Sequence, residues 1–230
     1  MSPPRPLPEA LLLDYAAGAA SPPIGLLMAT HMAMSKESRA LFATMEAIGG
    51  ALLEGLDDEP LERISAAGAL AVLDRGEVSD PWRAKPALTH PSSRKGTPPT
   101  FLKDDLPSPL QMAENEIGGD RRWRWLGFGV AATELAVSTR HERAHLLWAR
   151  GGTGIAAHRH VGREVVLVLK GAFWDDGTRY GSGDVAVNED GTVHSPRIDD
   201  GEDCVCLAVT EAPVHFTGLA GLILNRFCQF

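Results

Sequence analysis

The stretch from Gly152 to His194 contains four side chains that could bind one metal ion, and it constrains the fold more than any other part. His158 and His160 are two residues apart, so on a strand both side chains point to the same face. Glu164 begins the apolar run EVVLVL, which predicts a buried strand. His194 follows two glycine-bearing turns, where a returning hairpin could bring it back to the first pair. Imidazoles with one carboxylate suit divalent zinc, iron, manganese, nickel or copper.

The glycines around these side chains have the spacing of two known motifs, and the stretch resembles a cupin domain. The matching positions are Gly152, His158, His160, Glu164 and Gly171 in the first motif, and Gly183, Gly191 and His194 in the second. Glu189 replaces a usual Pro and Ile198 replaces a usual Asn, but neither departure removes a ligand. The resemblance implies one divalent metal held by the three histidines and Glu164. We expect zinc, with iron, nickel and manganese as alternatives, because this ligand set accepts all of them.

Composition and charge exclude several classes of function. A hydrophobic content of 44% allows a real core, and the net charge of -8 argues against direct binding to nucleic acid or to an anionic membrane. No stretch approaches the roughly 20 apolar residues that span a bilayer, and the N-terminus lacks the pattern of a signal peptide. Three cysteines, Cys204, Cys206 and Cys228, are too few and too clustered for a disulfide framework. We therefore expect a cytoplasmic protein.

The chain divides into three parts by composition and periodicity, which predicts an α+β, two-domain fold. Residues 1–77 carry amphipathic helical patterns, typical of a small bundle of three or four helices. Residues 78–109 are rich in proline and charge and predict a linker. Residues 110–230 contain many short strand-like runs, which predict an all-β jelly-roll barrel of the cupin kind.

Two helical patterns in the first part matter for function. The third predicted helix places five apolar residues on one stripe: Leu41, Met45, Ile48, Leu52 and Leu53. Such a stripe must be buried against other helices or a partner. A short fourth helix is predicted from Leu61 to Leu73.

The order of the segments, with ATHMAMSKESRALF in the helical part and GEDCVCLAVTEAPVHF at the end of the cupin, resembles the ChrR family of zinc-binding anti-sigma factors. The resemblance covers nearly the whole chain. It implies that the helices of residues 1–77 wrap an extracytoplasmic-function sigma factor and block its access to RNA polymerase. It also implies that the cupin metal takes part in sensing oxidative signals such as singlet oxygen.

The N-terminal zinc motif of that family is degenerate in this chain. His31 matches the motif histidine of His-x3-Cys-x2-Cys, but Ser35 and Ser38 occupy the two cysteine positions. The upstream histidine position falls near Pro6 or Leu7, and no histidine precedes His31. A serine hydroxyl stays protonated near neutral pH and cannot replace a thiolate ligand. We therefore expect no zinc at His31, Ser35 and Ser38.

Two functions follow as hypotheses. The first is an anti-sigma factor with a metal-binding cupin as its sensor, which could form a homodimer through the cupin. The second is a metal-dependent, dioxygenase-like cupin enzyme with a vestigial helical domain. Cys204 and Cys206 share one face of a predicted strand and are interpreted as small core residues, with a redox role as the alternative. His141 and His145 are interpreted as surface residues or strand ends.

Overall fold

A computed structural model describes residues 7–57, 68, 70–71, 106–117, 123–127, 129–218 and 225. Nearly all of the predicted linker and most of the predicted fourth helix lie outside these residues. The described helices are α1 (Glu9–Ala16), α2 (Pro22–Met34), α3 (Lys36–Glu54) and α4 (Ser108–Ile117). None of them is both long enough and apolar enough to cross a membrane.

Serine caps fix where α2 and α3 begin. The Ser21 hydroxyl accepts a hydrogen bond from the Ile24 amide, and Pro22 stands at the first helical position, where no amide donor is needed. Ser35 ends α2 in an extended conformation and caps α3 by accepting from the Ser38 amide. One residue thus separates the two helices, which places the ends that carry His31 and Ser38 side by side.

In the described part of the chain, twelve strands form one large and two small antiparallel sheets, in the jelly-roll arrangement that the sequence predicts. The large sheet has the order β1-β2-β3-β11-β5-β8, and the small ones are β10-β6-β7 and β12-β4-β9. The strands are β1 (Arg124–Gly127), β2 (Val130–Glu134), β3 (Arg143–Ala149), β4 (His158–Arg159), β5 (Glu164–Lys170), β6 (Ala172–Asp175), β7 (Thr178–Gly181), β8 (Val185–Asn188), β9 (Val193–His194), β10 (Arg197–Ile198), β11 (Cys204–Thr210) and β12 (His215–Phe216).

Strands β5 and β11 are buried on both faces, which explains their unbroken apolar sequences. Val165 and Leu167 of β5 point to the outer face of the large sheet, whereas Val166 points into the barrel. On β11, Leu207 faces outward and Cys206 faces inward. Successive side chains of each strand therefore point alternately to the core between the sheet and the helices and to the core inside the barrel.

The helices cover the outer face of the large sheet, so the helical part and the barrel share one core. Leu27 and Met28 of α2 belong to the same buried cluster as Leu146, Leu167 and Leu207 of the sheet. The α+β, two-domain prediction is confirmed, but the two parts are packed together. The homodimer through the cupin stays a prediction, and it would need a face other than this covered one.

Helix α4 was not predicted, since the sequence there was interpreted as the end of a linker followed by strands. Its Leu110 is fully buried, and Leu106 just before it is buried as well. Both leucines join the core beneath α2. Burial of these two side chains outweighs the weak local pattern of SPLQMAENEI.

Gly171, the last glycine of the first motif, makes the turn from β5 to β6 with φ at +73°. A Cβ at this position would run into the carbonyl oxygen of Asp203. The motif therefore requires glycine both for its backbone conformation and for space.

Candidate metal centre

The small sheet β12-β4-β9 places the first two histidines next to the last. His158 of β4 lies directly opposite His194 of β9 in the antiparallel register. His160 follows β4 by one residue, and its amide donates to the Thr192 carbonyl. Glu164 begins β5, opposite Asn188 of β8. Hairpin return and strand alternation thus bring all four predicted side chains to one end of the barrel.

The imidazole nitrogens converge on one point. The Nε2 atom of His194 lies 2.7 Å from Nε2 of His160 and 2.8 Å from Nε2 of His158. One nitrogen from each ring lies within 4.8 Å of the others, close enough for all three to hold one metal ion. The Oε2 atom of Glu164 is 3.2 Å from Nε2 of His160. Its place as a fourth ligand stays a prediction.

Hydrogen bonds to the opposite ring nitrogens fix which atoms face the centre. His158 donates from Nδ1 to the Ala156 carbonyl at 2.9 Å, and His194 donates from Nδ1 to Asp175 at 2.6 Å. In the neutral rings, both Nε2 atoms then carry bare lone pairs. Two lone pairs 2.8 Å apart repel each other unless a cation lies between them. The donor set therefore fits a metal ion.

Burial keeps His158 and His160 in the neutral form that binds metal. The pKa of His158 is lowered to about 4, mainly by burial, and the Ala156 carbonyl opposes this shift. Burial, aided by the neighbouring His158 and His194, lowers the pKa of His160 to about 3. Both rings are thus neutral at pH 7, as ligation requires.

Glu164 is buried beside the histidines and is held by one side-chain hydrogen bond. Burial raises the pKa of its carboxyl group, and the 2.9 Å bond from Asn188 opposes the shift. An adjacent metal ion would favour the ionised carboxylate. The Oε2 atom of Glu164 accepts this bond from Asn188 and is also the carboxylate oxygen that lies 3.2 Å from Nε2 of His160.

Asp175 belongs to the centre and was missed from the sequence. It lies at the end of β6, and its Oδ2 accepts a hydrogen bond from Nδ1 of His194. Its Oδ1 is buried and has no hydrogen-bond partner among the described residues. A carboxylate behind a ligating histidine orients the ring and raises its basicity. In the sequence Asp175 stands in the turn WDDG, which gave no signal beyond a hairpin.

A cavity of about 580 Å³ lies inside the barrel and reaches the histidine cluster. Its walls are largely apolar side chains, among them Leu126, Val130, Leu147, Val166, Phe173, Ile198, Val214 and Phe216. His158, Glu164 and His194 stand at its polar end. The volume lies within the usual range for small-molecule pockets.

Cys204 and Cys206 form part of this wall, on the inner face of β11. Their sulfur atoms are 3.6 Å apart, and both side chains are buried. The Cys204 contact, together with burial, raises the pKa of the Cys206 thiol. The Cys206 thiol is therefore uncharged at neutral pH.

The interpretation of His145 as a surface residue is wrong, whereas His141 is exposed as expected. His145 lies in β3, on the inner face of the large sheet, and its ring is buried. Burial, with Arg143 and Arg124 nearby, lowers its pKa to about 4. The alternation of β3 could have revealed this, because His145 shares its face with the apolar residues Leu147 and Ala149.

The degenerate motif of the helices forms a buried hydrogen-bonded cluster. Nε2 of His31 is 2.8 Å from the Ser38 hydroxyl, and the Ser35 hydroxyl donates to Ser38 at 3.1 Å. Burial lowers the pKa of His31, while the Gly183 backbone and Asp184 of the barrel oppose the shift. The cluster thus lies where the helices meet the turn before β8. Its lack of zinc stays a prediction.

Comparison with known proteins agrees with this architecture. Residues 118–214 match the model of the ChrR cupin-like domain family. Anti-sigma-E factor ChrR of Cereibacter sphaeroides is 34% identical over 219 residues, covering 95% of each chain. A crystal structure of Rhodobacter sphaeroides SigE in complex with the anti-sigma ChrR matches with a TM-score of 0.67 and 32% identity, over 91% of this chain and 99% of that one. The chain therefore belongs to the ChrR family of anti-sigma factors.

Proposed function

We propose that this chain is an anti-sigma factor that sequesters an extracytoplasmic-function sigma factor through its N-terminal helices. The observation that carries the proposal is an apolar stripe on α3 that the described residues of the chain leave uncovered. The α3 stripe comprises Leu41, Met45, Ile48, Leu52 and Leu53. A sigma factor bound there could not present the same surface to RNA polymerase.

The α3 stripe is exposed along most of its length. Ile48 is 57% exposed, Leu52 69% and Leu53 70%, and only Met45 packs partly against the core. The N-terminal half of the helix is anchored beside the stripe, since Phe42 contacts Tyr15 of α1 with ring centroids 5.3 Å apart. An anchored helix that presents a contiguous apolar face to water is the mark of a binding surface. The matched relative is a complex of SigE with the anti-sigma ChrR, which supports a sigma factor as the partner.

The cupin would supply the signal. His158, His160, His194 and Glu164 would hold one divalent metal, zinc by expectation, which would act as a Lewis acid toward an oxidant or another small molecule. Strands β5 and β11 would carry a change at this end to the helices, because their inner faces line the cavity and their outer faces belong to the core that includes α2, which contacts β11. A shift of these strands would weaken the helix packing and favour release of the sigma factor.

Titration of the full chain with the co-transcribed sigma factor tests the proposal. Ile48→Glu places a charge in the centre of the α3 stripe and should weaken binding by about 30-fold or more, as expected for a buried interface residue. Ala43→Glu adds the same charge on an exposed position outside the stripe and should leave the affinity within about threefold. Equal affinities of the two variants, or no binding by the unsubstituted chain, would refute the proposal.

A metal-dependent enzyme is the second candidate, and the cavity beside the histidine cluster is the observation that favours it. Oxygen consumption by the iron-loaded chain with small diketones tests this activity. Turnover that is lost in His158→Ala would support the enzyme. If the unsubstituted chain consumes oxygen no faster than His158→Ala does, the enzyme candidate fails and the cupin acts as a binding domain.

A further inference from the structure

We propose that the cavity of the barrel binds a small apolar monocarboxylate, with its carboxylate at the histidine cluster and its hydrocarbon chain along the apolar wall. This inference rests on the proposed metal centre and names the ligand of that same site. Three features of the cavity lead to it: the nature of its walls, the state of its polar groups and its charge.

The walls select a hydrocarbon chain. Leu126, Val130 and Leu147 come from the β1-β2-β3 side, and Phe173 and Ile198 face them from the small sheet β10-β6-β7. Cys204 and Cys206 of β11 continue this surface. A polyol or sugar would leave many hydroxyl groups unpaired against such walls, at a cost for each one. A hydrocarbon chain gains free energy in proportion to the apolar area it buries.

The polar groups at the other end already have partners within the protein. His158 donates to a backbone carbonyl, His194 donates to Asp175, and Asn188 donates to Glu164. A ligand therefore finds few free donors beyond the metal ion itself and the Ser195 hydroxyl, which also lines the cavity. A compact group with one or two oxygen atoms can therefore bind at this end of the cavity, whereas a longer polar group would lack hydrogen-bond partners.

The charge of the centre selects a monoanion. A divalent ion bound directly by three neutral imidazoles and the Glu164 carboxylate keeps one positive charge, and the Asp175 carboxylate behind His194 offsets part of it at longer range. Of the described residues that line the cavity, none is Lys or Arg. A phosphate or a dicarboxylate would bring excess negative charge into an apolar space without a partner. A single carboxylate binds the ion and adds the least negative charge of these three head groups.

Calorimetric titration of the zinc-loaded full chain with a series of straight-chain acids tests the inference. From butanoate to octanoate the affinity should rise about fourfold for each added methylene, because each one buries apolar area. Octan-1-ol has the chain without the charged head, and acetate has the head without the chain. Both should bind at least tenfold more weakly than octanoate, and so should octanoate to the metal-free chain.

Two variants that fill the cavity complete the test. Leu147→Trp and Val130→Phe place larger side chains in the wall and should weaken octanoate binding at least tenfold without changing the zinc content. Leu13→Trp is the matched control, because Leu13 is exposed on α1, and it should bind octanoate like the unsubstituted chain.

The outcomes separate the two levels of the argument. A chain that takes up no metal refutes the proposed metal centre. A chain that holds one zinc ion overturns the ligand assignment alone if the affinity does not rise with chain length, if octan-1-ol binds as well as octanoate, or if the metal-free chain binds octanoate equally.

Discussion

The carboxylate of Asp175 offers a sensitive probe of the histidine cluster. Its Oδ2 accepts a hydrogen bond from Nδ1 of His194 at 2.6 Å, and both side chains are less than one tenth exposed. Asp175→Asn keeps the size of the side chain but removes the negative charge that orients the ring and raises its basicity. Loss of such a carboxylate costs about 10- to 100-fold in metal affinity. We expect zinc to bind Asp175→Asn weaker by this factor, still at one ion per chain.

Competition with a chromophoric zinc chelator at pH 7 measures this difference. Asp176→Asn is the matched control, because Asp176 is the exposed neighbour in the same turn and its φ of 44° is one that asparagine also tolerates. The control should bind zinc like the unsubstituted chain. If Asp175→Asn and Asp176→Asn have the same zinc affinity, then Asp175 does not support the metal ligand and the reasoning fails.

Two further predictions concern stability, and urea unfolding of the metal-free chain measures both. His145 has a native pKa of about 4, below its ordinary value of 6.5, so the unfolded state binds the proton first and stability is lost as the pH falls from about 6.5 to 4. His145→Gln should remove up to about 3 kcal/mol of this loss, whereas the exposed His141→Gln should not change it. Ser38→Ala leaves the buried Nε2 of His31 without its partner and should cost about 1 to 3 kcal/mol, while the same change at Thr44, on the exposed surface of α3, should cost under about 0.5 kcal/mol. An unchanged pH profile in the first case, or equal costs in the second, would contradict the burial argument.

The positions of the four predicted ligands followed from local rules. Alternation along β4 puts His158 and His160 on one face, and glycine turns return His194 to them. The run after Glu164 could be recognised as a buried strand because both of its faces are apolar. These properties depend on the spacing of residues along the chain, which can be read directly from the sequence.

Contacts between distant elements could not be predicted in the same way. Asp175 reaches His194 only because β6 and β9 end at the same side of the barrel, and nothing near Asp175 in the chain signals this. Helix α4 forms because Leu106 and Leu110 find a core beneath α2. The burial of α1 and α2 against the outer face of the large sheet likewise depends on surfaces that are far apart in sequence.

The cluster of His31, Ser35 and Ser38 combines a local feature of the sequence with contacts between distant elements. The sequence spacing aligns these three residues with the ligand positions of one zinc motif, and in the structure they are neighbours. That the histidine would also face Gly183 and Asp184 of the barrel depends on the packing of α2 on the sheet. The serine hydroxyls hold this junction with hydrogen bonds, where thiolates would have required a metal.

The metal content of the purified full chain tests the central claim about its sites most directly. Elemental analysis should find one divalent ion per chain and none in the His158→Ala/His160→Ala double variant, because the proposed site of the ion is the histidine cluster and none is expected at the His31 cluster. Two ions per chain, or one ion that persists in the double variant, would contradict the account.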